Sequence, residues 1–270
     1  MARTPLGNAQ TALITGASSG IGEALAQRFA RAGFDLVLVA RSADRLRARA
    51  EALASAHGIR AWPVPADLTQ PGAAQKLAAA MRRARRPIDV LVNNAGVLAH
   101  GNFVDMPARR HRELIELNVA GLTDMLAQFV PAMVARGRGR VLNLASIAAF
   151  QPVPSLATYA ATKAYVLSLT ESLSEELQDS GVTVTALCPG ITATPMLSRA
   201  RRASRELDEL PGIVVGSVAD VADEGFEACM KGEVVRVPGA LNLAAVLAGR
   251  AAPKWLLRRV SGAVVRGLRR

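Results

Sequence analysis

The chain alternates short strand-like runs with longer helix-like segments, and this alternation limits the possible folds more than any other feature. Between most of the strand-like runs, apolar residues recur at spacings of three and four, as in 23–31 and 109–135. Continuous apolar strands joined by helices predict an α/β fold with a parallel sheet covered on both faces. Seven strands are predicted: TALIT (11–15), DLVLVA (35–40), IRAWPV (59–64), IDVLV (88–92), RVLNLA (140–145), VTVTALC (182–188) and EVVRV (233–237).

Length and composition favour one large domain. The chain has 270 residues, half of them hydrophobic, which is enough for a single large core. We expect a polar tail at 1–9, one domain over 10–240 and an extension at 241–270. Residues 192–225 break the alternation after the sixth strand, and we interpret them as a partly helical lid over a site.

The compartment can be predicted from the cysteines and the start of the chain. Cys188 and Cys229 each lie in an apolar segment, which favours buried thiols in a reducing compartment over a disulfide framework. The first ten residues, MARTPLGNAQ, lack the apolar core of a signal peptide. We therefore expect a cytoplasmic protein.

The positive charge is concentrated at the C-terminal end. The net charge is +11, and residues 250–270 carry seven basic residues and no acidic one, so the rest of the chain carries only +4. Zinc-ligand spacings and RNA-binding signatures are absent from the sequence, so neither a metal site nor nucleic-acid binding is expected. Residues 254–270 are amphipathic if helical. We expect them to pack on the domain or on a partner subunit; an anionic membrane surface is the alternative.

The turn after the first strand has the composition of a phosphate-binding loop. It reads TGASSGIG over 15–22 and opens a helix. Glycines allow the backbone to approach a pyrophosphate, and the helix N-terminus supplies amide donors. The predicted cofactor-binding residues in this turn are Gly16, Ser18, Ser19, Gly20, Ile21 and Gly22.

The end of the second strand indicates which dinucleotide is bound. An acidic residue that would hold the ribose of NAD is missing, and Arg41 stands there instead. A guanidinium can hold a 2′-phosphate, which predicts NADP(H); alternatively, Arg41 only flanks a helix capped by Ser42. After the third strand, Asp67 could contact the adenine or could cap the turn DLTQPG.

Tyr159 and Lys163 lie four residues apart in TYAATKAYVLSL, a run that is otherwise small or apolar. Side chains at this helical spacing are neighbours, whereas Tyr165 and Lys163 point in different directions. An ammonium beside a phenol favours the phenolate and would lower a tyrosine pKa from its usual value of about 10. Tyr159 could then exchange protons near neutral pH.

Further polar residues follow other predicted strands or lie in apolar company. They are the NNAG run at 93–96, Asn118, Ser146 and the turn Pro189–Gly190. Ligands of parallel sheets gather outside the carboxyl ends of the strands. We therefore expect Gly16, Asn93, Ser146 and the Pro189–Gly190 turn to meet in one crevice.

Over about residues 10–240, these motifs resemble, in order and spacing, those of the short-chain dehydrogenases/reductases. The resemblance implies a doubly wound, three-layer Rossmann-type fold with a seven-stranded parallel sheet and NAD(P)-linked carbonyl or alcohol chemistry. It implies that Tyr159 is the general acid/base, that Lys163 lowers its pKa and holds the nicotinamide ribose, that Ser146 orients the carbonyl, and that Asn118 holds a water. The remaining cofactor-binding positions that it implies are Asp67, Leu68, Asn94, Ala95, Gly96, Pro189, Gly190 and Thr192.

The substrate is predicted only as a class. Apolar loops after the fourth, fifth and sixth strands favour an apolar ketone or a 3-oxoacyl group as substrate, reduced with NADPH. An NADP(H)-binding regulatory protein with little turnover is the alternative. A homodimer or homotetramer is expected, although about thirty residues follow the point where the shorter, commonly tetrameric members end. Four arginines of the insertion could meet coenzyme A or carrier phosphates, or could form a solvated helix face: Arg199, Arg201, Arg202 and Arg205.

Overall fold

A single parallel sheet organises the molecule. The computed structural model describes residues 10–203, 215–251 and 259. All strand pairs are parallel, and the order across the sheet is β3-β2-β1-β4-β5-β6-β7. The strands are β1 Thr11–Thr15, β2 Asp35–Ala40, β3 Ala61–Pro65, β4 Val90–Asn93, β5 Gly139–Leu144, β6 Val182–Leu187 and β7 Val235–Arg236.

Helices cover both faces of this sheet. They are α1 Gly20–Arg31, α2 Ala43–His57, α3 Ala73–Arg83, α4 Ala108–Ile115, α5 Leu122–Ala135, α6 Ala157–Glu176, α7 Pro195–Ala203, α8 Val218–Lys231 and α9 Ala240–Ala251. One core cluster joins the sheet to α3, α5 and α6, through residues such as Met81, Phe129 and Val166. The other joins it to α1, α2 and α8, through residues such as Phe29 and Leu46. The predicted doubly wound, three-layer fold is confirmed.

The reversal of strand order between β1 and β4 determines where a ligand can bind. Strand β1 pairs with β2 on one side and with β4 on the other, and the chain runs outward from this point in both directions. The loops that leave β1 and β4 therefore separate and open a crevice at the carboxyl edge of the sheet. Both loops carry predicted cofactor-binding residues.

Helices α4 and α5 form one continuous rod through a π-helical segment, Glu116–Gly121. By length and composition this rod, 108–135, is apolar enough to cross a membrane. Its buried side chains, among them Met125, Phe129 and Met133, belong to the core of the sheet. The rod is therefore a core helix of the domain.

The predicted strands are confirmed, with small shifts at their ends. Strand β7 is shorter than predicted because only Val235 and Arg236 pair with β6. The polar tail 1–9, residues 204–214 of the predicted lid and most of the predicted C-terminal segment 254–270 lie outside the described residues. The predicted extension from 241 onward begins within α9, whose Val246 is buried in the core.

Candidate active site

The glycine turn is shaped by close contacts that leave no space for side chains. Gly16 and Gly20 have φ angles of +67° and +61°, in the left-handed region that favours glycine. A Cβ on Gly16 would lie 2.6 Å from Nδ2 of Asn94. A Cβ on Gly22 would collide with the same Nδ2 and with the carbonyl oxygen of Gly16. Backbone amides at the start of α1 are thereby left accessible to an anion.

Thr15 and Asn94 hold the two loops of the crevice together. The Thr15 hydroxyl accepts hydrogen bonds from the backbone N–H of Asn94 (3.0 Å) and of Ala95 (2.9 Å) and donates to Val92 O at 3.2 Å. The Asn94 amide donates to Thr15 O at 2.8 Å and to Gly16 O at 3.3 Å. The predicted residues of the β1 and β4 loops are thus adjacent. The sequence analysis missed Thr15, although a hydroxyl side chain at the end of the apolar run TALIT was a usable signal.

Lys163 is a buried cation beneath the crevice. Its side chain is only 6% exposed, and Nζ donates to Leu144 O at 2.6 Å. Nζ lies 5.8 Å from the centre of the Tyr159 ring. Burial lowers the pKa of Lys163 to about 8, and the nearby Cys188 thiol opposes this effect. Lys163 can therefore change its protonation state close to physiological pH.

The pKa of Tyr159 differs from the sequence prediction. Burial raises this pKa above its ordinary value, and a hydrogen bond with Ser146 offsets part of the rise. The prediction that Lys163 lowers the pKa of Tyr159 is wrong for the protein without bound cofactor. The Lys163 ammonium donates its hydrogen bond to Leu144 O, and the loss of water around the phenol is the largest effect on the Tyr159 pKa. The phenol therefore stays protonated at neutral pH.

Ser146 joins the end of β5 to the loop after β6. It caps a short 3₁₀ helix, Ile147–Ala149, by accepting a hydrogen bond from Ala148 N at 3.2 Å. Its hydroxyl donates a long hydrogen bond of 3.4 Å to Pro189 O. A long bond of this kind is weak, so the proton can be redirected to a better acceptor in the crevice. Ser146 also forms a hydrogen bond with the Tyr159 phenol, so the two side chains make one hydroxyl pair.

Asn118 is fixed by the π-helical segment. Its side chain is buried and accepts from Val97 N at 2.9 Å, while its amide donates to Val97 O at 2.9 Å and to Thr162 Oγ1 at 3.1 Å. Thr162 in turn donates to Tyr159 O at 2.7 Å. Asn118 thus connects the loop after β4 to the helix that carries Tyr159. Both amide hydrogens are used within the protein, so the side chain has none left for a water.

A small space lies between these groups and Gly96. A Cβ on Gly96 would lie 3.2 Å from Asn118 Oδ1 and 3.6 Å from Lys163 Nζ. Any larger residue at 96 would enter the space that Lys163 and Asn118 border. The predicted residues of the NNAG run, Asn94, Ala95 and Gly96, therefore belong to the same site as Lys163.

Asn93 is an exception to the predicted convergence. Its side chain is buried and donates to Asn143 Oδ1 at 3.0 Å, and Asn143 donates to Thr170 Oγ1 at 2.9 Å. This chain of hydrogen bonds crosses from β4 through β5 to α6. Asn93 therefore points into the protein, because its alternation along β4 places it opposite Asn143.

The adenosine end of the crevice has an exposed cation and a partly used carboxylate. Arg41 is exposed and forms no ion pair with any described residue. Ser42 precedes α2, and its hydroxyl accepts from Arg45 Nε at 3.2 Å rather than capping the helix.

Asp67 Oδ1 accepts from both Thr69 N and Thr69 Oγ1, which is the turn-capping alternative, while Oδ2 has no such bond among the described residues. Leu68 places its carbonyl against Gly121, where a Cβ would lie 2.8 Å away.

The loop after β6 closes the nicotinamide end. Thr192 is buried, donates to Gly190 O at 3.1 Å and forms a β-bridge with Gly216. Beyond it, Thr194 lies over the glycine turn, since a Cβ on Gly20 would be 3.3 Å from its methyl group. The start of the predicted lid therefore borders the glycine turn. The side chains of Arg199, Arg201, Arg202 and Arg205 lie outside the described part of the chain.

Comparison with known proteins agrees with this geometry. The profile of the family described as short chain dehydrogenase matches residues 10–205. The oxidoreductase UcpA of Escherichia coli K12 is 38% identical over 203 residues, which cover 74% of this chain and 75% of UcpA. The residues matched by the profile include the glycine turn, the NNAG run and the YAATK segment.

Two solved structures share the fold. A short-chain dehydrogenase from Sphingobium yanoikuyae in complex with NADPH superposes with a TM-score of 0.79 at 38% identity, covering 89% of this chain and 93% of that one. The bulky-bulky ketone specific alcohol dehydrogenase from Comamonas testosteroni gives 0.76 at 32% identity, covering 90% and 93%. The predicted resemblance is confirmed: this chain belongs to the short-chain dehydrogenase/reductase family and is an oxidoreductase of that family.

Proposed function

We propose that the chain is an NADPH-dependent reductase of apolar ketones or 3-oxoacyl groups, with Tyr159 as the general acid. The observation that carries the proposal is the meeting of three groups at one point of the crevice. The Tyr159–Ser146 hydroxyl pair lies beside the buried Lys163 ammonium, which faces Gly96 of the NNAG run. A carbonyl oxygen that gains negative charge needs donors of this kind.

The residues of the crevice fit NADP(H). Gly16, Gly20 and Gly22 form a turn that side chains would fill, as backbone contact with a pyrophosphate requires. Arg41 is exposed and lacks a described ion-pair partner, so it is available for a 2′-phosphate. We assign Lys163 to the nicotinamide ribose, because its buried ammonium borders the space beside Gly96. The S. yanoikuyae relative is a complex with NADPH, which supports the same cofactor here.

The proposed chemistry divides between the cofactor and the protein. When bound, NADPH would supply the hydride for the carbonyl carbon. Tyr159 donates its phenolic proton to the carbonyl oxygen, and Ser146 turns its hydroxyl from Pro189 O to the same oxygen. Proton donation by a positioned acid typically contributes about 10²–10⁴ in rate. The raised pKa of Tyr159 keeps this proton in place at neutral pH, as a proton donor in reduction requires.

Tyr159 must recover its proton after each turnover. Lys163, whose Nζ lies 5.8 Å from the centre of the Tyr159 ring, can hold and release a proton near pH 8. Asn118 fixes the helix turn that carries Tyr159, through Thr162. Because both amide hydrogens of Asn118 are used, the water assigned to Asn118 would be held by an oxygen of this residue.

The substrate proposal rests on the loops around the crevice. These are VLAHGNF (97–103), SIAAFQPVPS (146–155) and PMLS (195–198), and all offer apolar side chains. The C. testosteroni relative is specific for bulky ketones, which supports a large apolar substrate. The test is a panel of aryl ketones, steroids, 3-oxoacyl thioesters and keto sugars, followed by loss of NADPH absorbance. Polar sugars are expected to react slowest, and turnover of sugars alone would contradict the proposal.

Arg41→Ala is expected to reduce the preference for NADP(H). A charged hydrogen bond to the 2′-phosphate is worth about 1.5–3 kcal/mol, so NADPH affinity should fall about ten- to a hundredfold while NADH affinity changes little. Fluorescence titration with both cofactors measures this. Arg47→Ala is the control, because Arg47 lies on the exposed side of α2 and pairs with Asp44. Equal weakening of both cofactors by Arg41→Ala would contradict the assignment.

NADPH binding is expected to weaken as pH rises through about 8. Burial places the Lys163 pKa near 8, so the ammonium is present below that pH and is lost above it. A neutral amine holds ribose hydroxyls less strongly than an ammonium does. Binding constants from pH 7 to 10 should show this step in the wild type and in Lys76→Met, where the exposed lysine of α3 is removed. The step should be missing in Lys163→Met; its persistence there would assign it to another group.

Self-association and location complete the proposal. Ile115 on α4 and Tyr165 on α6 are exposed and border the same side of the molecule as a groove lined by Val119, Ala157 and Ala161. An apolar face of adjoining helices suits a homodimer or homotetramer.

We place the protein in the cytoplasm, which its two buried free thiols support.

A further inference from the structure

Helix α9 has an inner face that packs beside the crevice. Its Val246 is buried in the core cluster. Asn242 presses on the loop after β6, since a Cβ on Gly190 would lie 2.5 Å from Asn242 Oδ1. One face of the helix continues to Gly249, where a Cβ would lie 3.4 Å from Gln151 in the loop after β5. Helix α9 therefore borders the substrate side of the site.

The outer face of α9 is apolar over residues 240–248. The exposed positions from 240 to 248 are occupied only by leucine or alanine: Ala240, Leu241, Leu243, Ala244, Ala245, Leu247 and Ala248. The leucines are 75%, 44% and 57% exposed, respectively. A solvated helix face normally carries charged or polar side chains. This outer face therefore has the composition of a surface that contacts another apolar phase or molecule.

The charge of the following sequence indicates what this surface contacts. Residues 250–270 carry seven basic residues and no acidic one, together with Trp255, Leu256 and Leu257. A second copy of the chain offers no acidic residue in this segment that could neutralise the charge. An anionic lipid surface instead attracts lysine and arginine and accepts leucine and tryptophan at the headgroup level.

We propose that the outer face of α9 and the basic residues after it dock the protein on anionic lipid surfaces. The docked face belongs to the helix whose inner face borders the crevice, so only the thickness of this helix, about 10 Å, would separate the crevice from the bilayer. Apolar molecules concentrate in bilayers because water excludes them. The route from the bilayer to the crevice rests on the proposed reductase function, whereas the docking itself does not.

The test is co-sedimentation of the full chain with vesicles. Vesicles of phosphatidylglycerol mixed with phosphatidylcholine are compared with pure phosphatidylcholine vesicles, at low and high salt. Binding is expected only to the anionic vesicles and only at low salt. Leu243→Gln/Leu247→Gln should weaken it at least about tenfold by removing two apolar contacts. Arg266→Gln/Arg269→Gln/Arg270→Gln should weaken it by about a hundredfold or more.

The matched control is Val104→Gln/Val134→Gln, which also removes two exposed apolar side chains, 89% and 37% exposed, outside α9. This control should bind vesicles as the wild type does. Thermal unfolding and NADPH binding should be unchanged in the α9 double variant, which shows that it folds.

Equal binding of the α9 variant and the control, binding to neutral vesicles at high salt, or lack of binding by the full chain would each overturn the proposal. If the α9 double variant lost self-association and the full chain bound no vesicles, the outer face of α9 would be assigned to a protein partner. Vesicle binding and carbonyl turnover are measured separately, so either can fail alone.

Discussion

Tyr159→Phe is expected to abolish carbonyl reduction while NADPH affinity stays within a few-fold of the wild type. The substitution removes one oxygen and leaves the ring, which lies over the buried Lys163 side chain. Loss of the positioned acid should lower kcat at least about 10²–10⁴-fold. Initial rates with the best ketone of the panel, together with NADPH titration by fluorescence, measure the two effects separately.

The control for this variant is Tyr165→Phe. Tyr165 lies on the same helix but is 39% exposed, and its hydroxyl pairs with Thr123 at 3.0 Å on the outer side of α6. Turnover should stay close to that of the wild type. If Tyr159→Phe kept activity within a few-fold of the wild type, the proton would have another donor, and the assignment of Tyr159 would be wrong.

The pKa of Tyr159 also has a consequence for the pH dependence of the reaction. In reduction the phenol must be protonated, and burial raises its pKa, so the acid form dominates over the neutral range. In alcohol oxidation the phenolate is needed, and its fraction rises with pH. The sequence predicted that Lys163 lowers the pKa of Tyr159. The contacts of Lys163 explain why this prediction fails for the protein without bound cofactor. Its ammonium bonds to the backbone of β5, and loss of water around the phenol outweighs the charge.

The fold could be predicted almost fully from the sequence because its determinants are local. Runs such as TALIT and DLVLVA are continuous apolar strands, and each is bounded by a turn or a helix start. The site could be predicted to the same extent where a residue lies at the carboxyl end of a strand, as Gly16 and Ser146 do. The topology then brings such residues together without further information.

Some features could not be predicted because they depend on long-range packing. The orientation of Asn93 is determined by its register against Asn143, fifty residues later in the chain. The role of Thr15 as acceptor for the backbone of Asn94 and Ala95 needs β1 and β4 to be neighbours. The short β7 depends on how many residues reach β6. In each case the residue type was visible, but its partner was not.

Gly22→Ala is expected to weaken NADPH binding by about a hundredfold. Gly22 lies in the first turn of α1, and a methyl group there would collide with Asn94 Nδ2 and with the carbonyl oxygen of Gly16. The carbonyl is backbone and cannot turn away as a flexible side chain can. Overpacking of this kind costs about 1–3 kcal/mol, and relief by movement of the Gly16 turn would displace the amides that face the pyrophosphate. NADPH titration and thermal unfolding measure both results.

The glycine at 249 separates this effect from a general effect of alanine in helices. Gly249 lies in α9, and the nearest atom to its added Cβ would be Gln151 Oε1 at 3.4 Å, the end of a flexible side chain. Gly249→Ala should leave NADPH affinity unchanged and should stabilise the helix, because alanine is favoured over glycine there by about 1 kcal/mol. If Gly22→Ala bound NADPH as tightly as Gly249→Ala does, the Gly16 turn would tolerate displacement. Close backbone packing of that turn would then not be what the cofactor requires.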